Sequence, residues 1–161
     1  MQRITVIALG KLNSPFYAAG VAEYAKRLAP LCKFEMVELA EESIDEKTAG
    51  PAAIQAALEK EAARILAAVP KGARIVALCV EGKPLTSEIF ADYLNTAALS
   101  GAGDVAFVIG SSHGLSPGIK QKAALRLSIS AMTLPHQLAR LVLTEQIYRA
   151  FMIRTGSKYH K

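Results

Sequence analysis

Residues 108–116 read VIGSSHGLS, in which Gly110, Ser112 and Gly114 fit the G-x-S-x-G pattern. That spacing is the signature of a nucleophile elbow, a sharp strand-to-helix turn that exposes a serine Oγ, and Glu145 and His160 follow in the acid-then-histidine order of a hydrolase triad. Three features count against a serine hydrolase acting through Ser112. Pro117 stands where the serine should feed into its helix, Glu145 falls mid-helix, and His160 is second from the end, where chains are loosely held. The same glycines also suit a strand end that turns tightly or lets a ligand approach bare backbone. No G-x-G-x-x-G follows the first strand, where only Gly10 stands, and G-x-x-x-x-G-K-[ST] is absent, which argues against a dinucleotide or nucleotide-triphosphate loop. His113, His136 and His160 lack ligand spacing, so no metal site is expected. Cys32 and Cys79 each sit in an apolar segment and read as small buried hydrophobes.

Charge points to the far end of the chain. The net charge is +5, and from Leu115 onward Lys120, Lys122, Arg126, Arg140, Arg149, Arg154, Lys158 and Lys161 face a single acid, Glu145. Between Phe34 and Ala63 the balance reverses. The C-terminal third is thus the place for phosphate contact, with Tyr159 able to stack on a base, unless these charges only solvate a helix face.

The elements that must carry these residues alternate between strand and helix. Strands are expected at 3–9, 33–39, 74–80, 104–109 and 127–129, and helices at 15–28, 51–68, 87–99, 117–124 and 135–153. Repeated βα units with near-continuous apolar strands predict an α/β fold, a mostly parallel sheet covered by helices on both faces. At 161 residues, 52% hydrophobic and 20% charged, one domain spanning 1–161 is the economical reading. Thr133 is the expected cap of the last helix, whose buried stripe should run through Leu138, Leu141, Val142, Glu145, Tyr148 and Met152, leaving Arg140, Arg149 and Arg154 toward its flanks. Glu41 to Gly50 is acidic and aperiodic, a surface loop. No run approaches the roughly 20 apolar residues of a membrane span, and MQRITVIALGKL lacks a cleavable h-region, so a cytoplasmic location is expected.

VIGSSHGLSP at 108–117, LSISAMTLPHQLAR at 127–140, EQIYRAF at 145–151, the final KYHK and the early ITVIALGK together resemble the RlmH family of SPOUT methyltransferases over the whole chain. That resemblance implies a SPOUT-type α/β knot with a deep trefoil at the C-terminal half, a homodimer, and S-adenosylmethionine as cofactor. It implies methylation at N3 of a pseudouridine of 23S ribosomal RNA, on the assembled 70S ribosome. By position it makes Leu78, Gly110 and the segment Ile129, Ser130, Ala131, Met132, Thr133, Leu134 the cofactor-binding residues. For such a reaction the basic end of the chain offers Arg140, Arg149, Arg154 and Lys158 as RNA-binding residues, and the YHK ending alone makes His160 and Tyr159 the catalytic candidates, with His160 accepting or relaying the N3 proton. The family often has two adjacent glycines where this chain has Gly110-Ser111, so a positive φ at Ser111 would be strained. That departure leaves a non-catalytic RNA-binding module as a further alternative to the hydrolase.

Overall fold

The computed structural model describes all 161 residues. Its elements are β1 (Arg3–Leu9), α1 (Pro15–Leu28), β2 (Lys33–Leu39), α2 (Pro51–Ala68), β3 (Arg74–Pro84), α3 (Ser87–Leu99), β4 (Val105–Ile109), α4 (Pro117–Lys122), β5 (Leu125–Ser128) and α5 (His136–Arg154). The five strands form one sheet in the order β2-β1-β4-β3-β5, every neighbouring pair parallel. This is the expected α/β architecture.

Alternation along buried strands sorts their side chains onto two cores. Ile4, Val6 and Ala8 of β1 join Phe107, Leu94, Leu143 and Ile147 on one face, under α1, α3 and α5. Ile7 and Leu9 join Ala77, Val108, Ile65 and Ile119 on the other, under α2 and α4. Helices on both faces explain why β4 is apolar throughout and why β1 is apolar from Ile4 on except for the buried Thr5. Prolines at the starts of α1, α2 and α4 occupy first-turn positions where no N–H is needed, and Thr86 caps α3 by accepting from the Ile89 amide at 3.2 Å.

Several boundaries differ from the sequence reading, those of β3 and β5 through pairings distant in sequence. β3 runs on to Pro84 because, after a bulge, Lys83 and Pro84 pair with Leu127 and Ser128, beyond the first pairing of Leu78 with Leu127. There the two backbones lie so close that a Cβ on Gly82 would stand 2.8 Å from the Arg126 carbonyl group. β5 begins at Leu125 rather than 127, because its pairing with Val76 starts there. Pro135, not Thr133, precedes the first helical residue of α5, and no side chain caps that end.

The buried stripe of α5 is also another one. Arg140, Leu143, Thr144, Ile147, Ala150 and Phe151 are buried, while Leu138, Leu141, Val142, Glu145, Tyr148 and Met152 are only partly so. The helix is wedged against both α1 and α3, so apolar residues occupy two of its faces; Leu141, for instance, abuts Gly20 of α1, where a Cβ would stand 2.8 Å away. A single apolar stripe was the wrong template for a helix covered on two sides.

A cavity at the carboxyl ends of three strands

All strands being parallel, their carboxyl ends share one edge of the sheet, where ligands of open α/β sheets bind. The loops after β3, β4 and β5 converge there around a cavity of about 670 Å³, within the range of small-molecule sites. Leu78, Gly110, Ile129, Ser130, Met132, Thr133 and Leu134, seven of the residues expected at a cofactor site, line it. Ala131 does not; it is exposed between them. The sequence reading missed Cys79, Glu81, His113, Lys120 and His136, which also line it. Lys120 and Glu81 form an ion pair across its rim, from α4 to the end of β3, and only the three-dimensional return of α4 brings them together. Walls are mainly apolar, with loop backbone and a few polar side chains, a composition suited to an organic cofactor.

The loop after β4 owes its shape to its own backbone. A Cβ on Gly110 would stand 2.5 Å from the Gly114 carbonyl carbon, and closer still to its oxygen. Glycine at 110 is therefore required by the return of residues 111–114 onto it, rather than only by the approach of a ligand. Gly114 donates its N–H to the Ser111 carbonyl at 2.9 Å and itself takes φ +81°. Ser111 carries no strain, since no residue other than glycine has positive φ. Its hydroxyl donates instead to Glu61 Oε1 of α2 at 2.9 Å. Glu61 is 3% exposed, and its other oxygen accepts the Glu42 amide at 3.0 Å.

The hydrolase triad is not assembled. Ser112 is exposed. Glu145 is engaged by Arg149 at 2.6 and 3.0 Å and by the Tyr159 hydroxyl at 3.0 Å. His160 lies between Arg149, 3.2 Å from Nδ1, and Glu88, 2.8 Å from Nε2. A guanidinium only donates, so Nδ1 is the acceptor and the ring proton sits on Nε2, facing Glu88. This contact holds the Glu88 carboxyl below its usual range. Burial, helped by Tyr24 and Glu145, pushes the Tyr159 phenol up, which keeps it a hydrogen-bond donor. Its ring meets Tyr148 edge-on at 4.9 Å under the Arg149 guanidinium. Neither Tyr159 nor His160 lines the cavity of its own chain.

Of the four residues expected to hold RNA phosphates, Arg140 must be withdrawn. It is fully buried, donating to Glu38 Oε2 at 2.6 Å and to the Gly10 carbonyl at 3.1 Å, so it ties α5 to the ends of β1 and β2. Arg149 is largely committed to Glu145 and His160. Arg154 and Lys158 are exposed, Arg154 lying over Phe151 with one N–H toward Gln2.

Both cysteines are free, Cys32 buried and Cys79 half-buried on the cavity wall. Burial pushes the Cys32 thiol up to about 11, and burial with Glu81 nearby raises that of Cys79 as well. A raised thiol pKa means less thiolate at any given pH. Iodoacetamide labelling read by mass spectrometry should therefore be slow for both at pH 7.5, rising for Cys79 as the solution is made alkaline; rapid labelling at neutral pH would contradict the assigned environment.

The SPOUT_MTase family, described as "Predicted SPOUT methyltransferase", matches residues 2–160. A protein of Streptococcus uberis named ribosomal RNA large subunit methyltransferase H is 47% identical over 159 residues, covering 99% of each chain. One of the same name from Ligilactobacillus salivarius is 47% identical over 158 residues, covering 98% of this chain and 99% of the relative. With likeness at this level running from end to end, the chain belongs to the SPOUT methyltransferases and, within them, to the ribosomal RNA large subunit methyltransferase H family.

Proposed function

We propose that this protein transfers a methyl group from S-adenosylmethionine to N3 of a pseudouridine in 23S ribosomal RNA, acting as a cytoplasmic homodimer on the assembled 70S ribosome. The convergence of three strand-end loops on one cavity at the carboxyl edge of a parallel sheet, in a chain of this family, carries the reading. S-adenosylmethionine supplies the methyl group in activated form, so the protein has to enclose the cofactor, align N3 and let its proton leave. Leu78, Ile129 and Leu134 offer apolar contact, and the backbone of residues 129–134 offers hydrogen bonds beside Gly110.

His160 is the proposed acceptor of the N3 proton, which requires its Nδ1 to leave Arg149. Since His160 and Tyr159 rest on α3 and α5, away from the cavity of their own chain, a second copy is the proposed recipient of this tail. A C-terminal half threaded as a trefoil knot belongs to the same reading and rests on membership of the family. The chain folds in this reading as one domain, 1–161.

The test is transfer of labelled methyl to 70S ribosomes and to free 23S RNA, with the modified nucleotide identified by mass spectrometry. Methylated pseudouridine from 70S ribosomes, with little from free RNA, is expected; transfer to neither would overturn the reading. Arg154→Ala and Lys158→Ala should each weaken ribosome binding and reduce the slope of log affinity against log salt by about 1, with cofactor affinity kept. A slope that does not move would remove that residue from the phosphate contacts.

A further inference from the structure

We propose that Glu61 is a positioning residue that holds the β4–α4 loop in its binding-ready shape through Ser111, and that it sets cofactor affinity without touching the cofactor. The proposal rests on the methyl-donor reading above.

Glu61 does not line the cavity; it lies in α2 on the face of the sheet opposite α5. A buried carboxylate has to find donors. Glu61 finds two, both neutral and each from a different loop at the carboxyl edge of the sheet: the Ser111 hydroxyl at 2.9 Å and the Glu42 amide at 3.0 Å. Arg64, one turn further along α2, secures the second loop by donating to the Ala40 carbonyl at 2.9 Å and pairing with Glu42. Ser111 does line the cavity, and its carbonyl accepts the Gly114 amide that closes the loop. Fixing Ser111 therefore fixes the wall around Gly110. If one donor is lost, a buried acceptor is left unsatisfied, so a single arrangement of both loops is favoured over looser ones. A wall ordered in advance spares the ligand the cost of ordering it, which appears as affinity.

Ser111→Ala removes the donor, Glu61→Met removes both acceptor oxygens at similar side-chain length, and Ser111→Thr keeps a hydroxyl. Two measurements follow: amide hydrogen exchange of residues 110–115 in the free protein, and calorimetric binding of S-adenosylmethionine, with thermal melts to confirm that each variant is folded. Ser111→Ala and Glu61→Met should both speed exchange and raise the cofactor Kd by about five- to tenfold, and Glu61→Met, which lies off the cavity wall, should retain kcat on ribosomes at saturating cofactor. The double variant should be little worse than either single one, and Ser111→Thr should stay near the unaltered protein. Unchanged exchange overturns the proposal, as do fully additive effects, unchanged affinity, or a lowered kcat with affinity intact. Absence of binding by the unaltered protein would refute the methyl-donor reading instead, and exchange would still report whether Glu61 braces the loop.

Discussion

Gly110→Ala is expected to lower affinity for S-adenosylmethionine by roughly 30- to 150-fold. The new methyl group would stand 2.5 Å from the Gly114 carbonyl carbon, and that neighbour is backbone, which cannot rotate aside as a side chain can. Overpacking of this kind costs about 1–3 kcal/mol, and with a rigid neighbour the upper part of that range applies. The loop is free to shift toward the cavity more easily than the sheet is to yield, so the cost falls on the bound state, and about 2–3 kcal/mol corresponds to the fold-change stated. Titration calorimetry beside a thermal melt checks this. Gly114→Ala is the informative companion: it meets open space but at φ +81°, a conformation costing roughly 1–2 kcal/mol for a residue with a Cβ. Equal effects at both positions would show that loop conformation, rather than the clash, decides. An unchanged affinity in Gly110→Ala would remove this loop from the cofactor site.

The second large effect concerns Arg140, and here the structure reverses what charge alone suggests. Arg140→Met should destabilise the protein by about 3 kcal/mol, the lower end of the range for breaking a buried ion pair. The lower end applies because Glu38 is 39% exposed and can regain water. For a domain of this size that lowers Tm by about 6–12 °C. The loss arises from the Glu38 pair and from the Gly10 carbonyl that Arg140 also holds. Ribosome binding by the folded variant at lower temperature should keep the salt dependence of the unaltered protein, because a fully buried guanidinium neutralises no phosphate. A shallower salt slope with unchanged Tm would return Arg140 to the RNA-facing surface.

That reversal shows where sequence reading ends. α1, α2 and α3 have the bounds expected, because Pro15, Pro51 and the Thr86-Ser87 start are local signals and the apolar strands leave few alternatives. The positions taken from family resemblance, Leu78, Gly110 and most of 129–134, fall on one cavity because the βα order determines which strand ends meet. What escaped was set by contacts between distant segments. Arg140 looks like any other cation in a basic stretch until α5 is seen pressed against α1 and α3. Ser111 looked like a strained departure from glycine, and its partner, fifty positions away in α2, left no trace in local spacing. Cys79, read as a core residue, faces the cavity because β3 leaves the sheet's regular pairing after Leu78.

The pairing of β3 with β5 also governs when the molecule becomes competent. Growing chains fold N-terminal parts first, and β1 to β4 can meet while the ribosome is still translating the rest. The outermost strand, with the loop that follows it, cannot dock beside β3 until residues 125–128 have emerged, and α5 must then cover that side. The cavity wall contributed by residues 129–134 is thus among the last parts to be built, and a nascent fragment ending before β5 would present two walls of the site without the third.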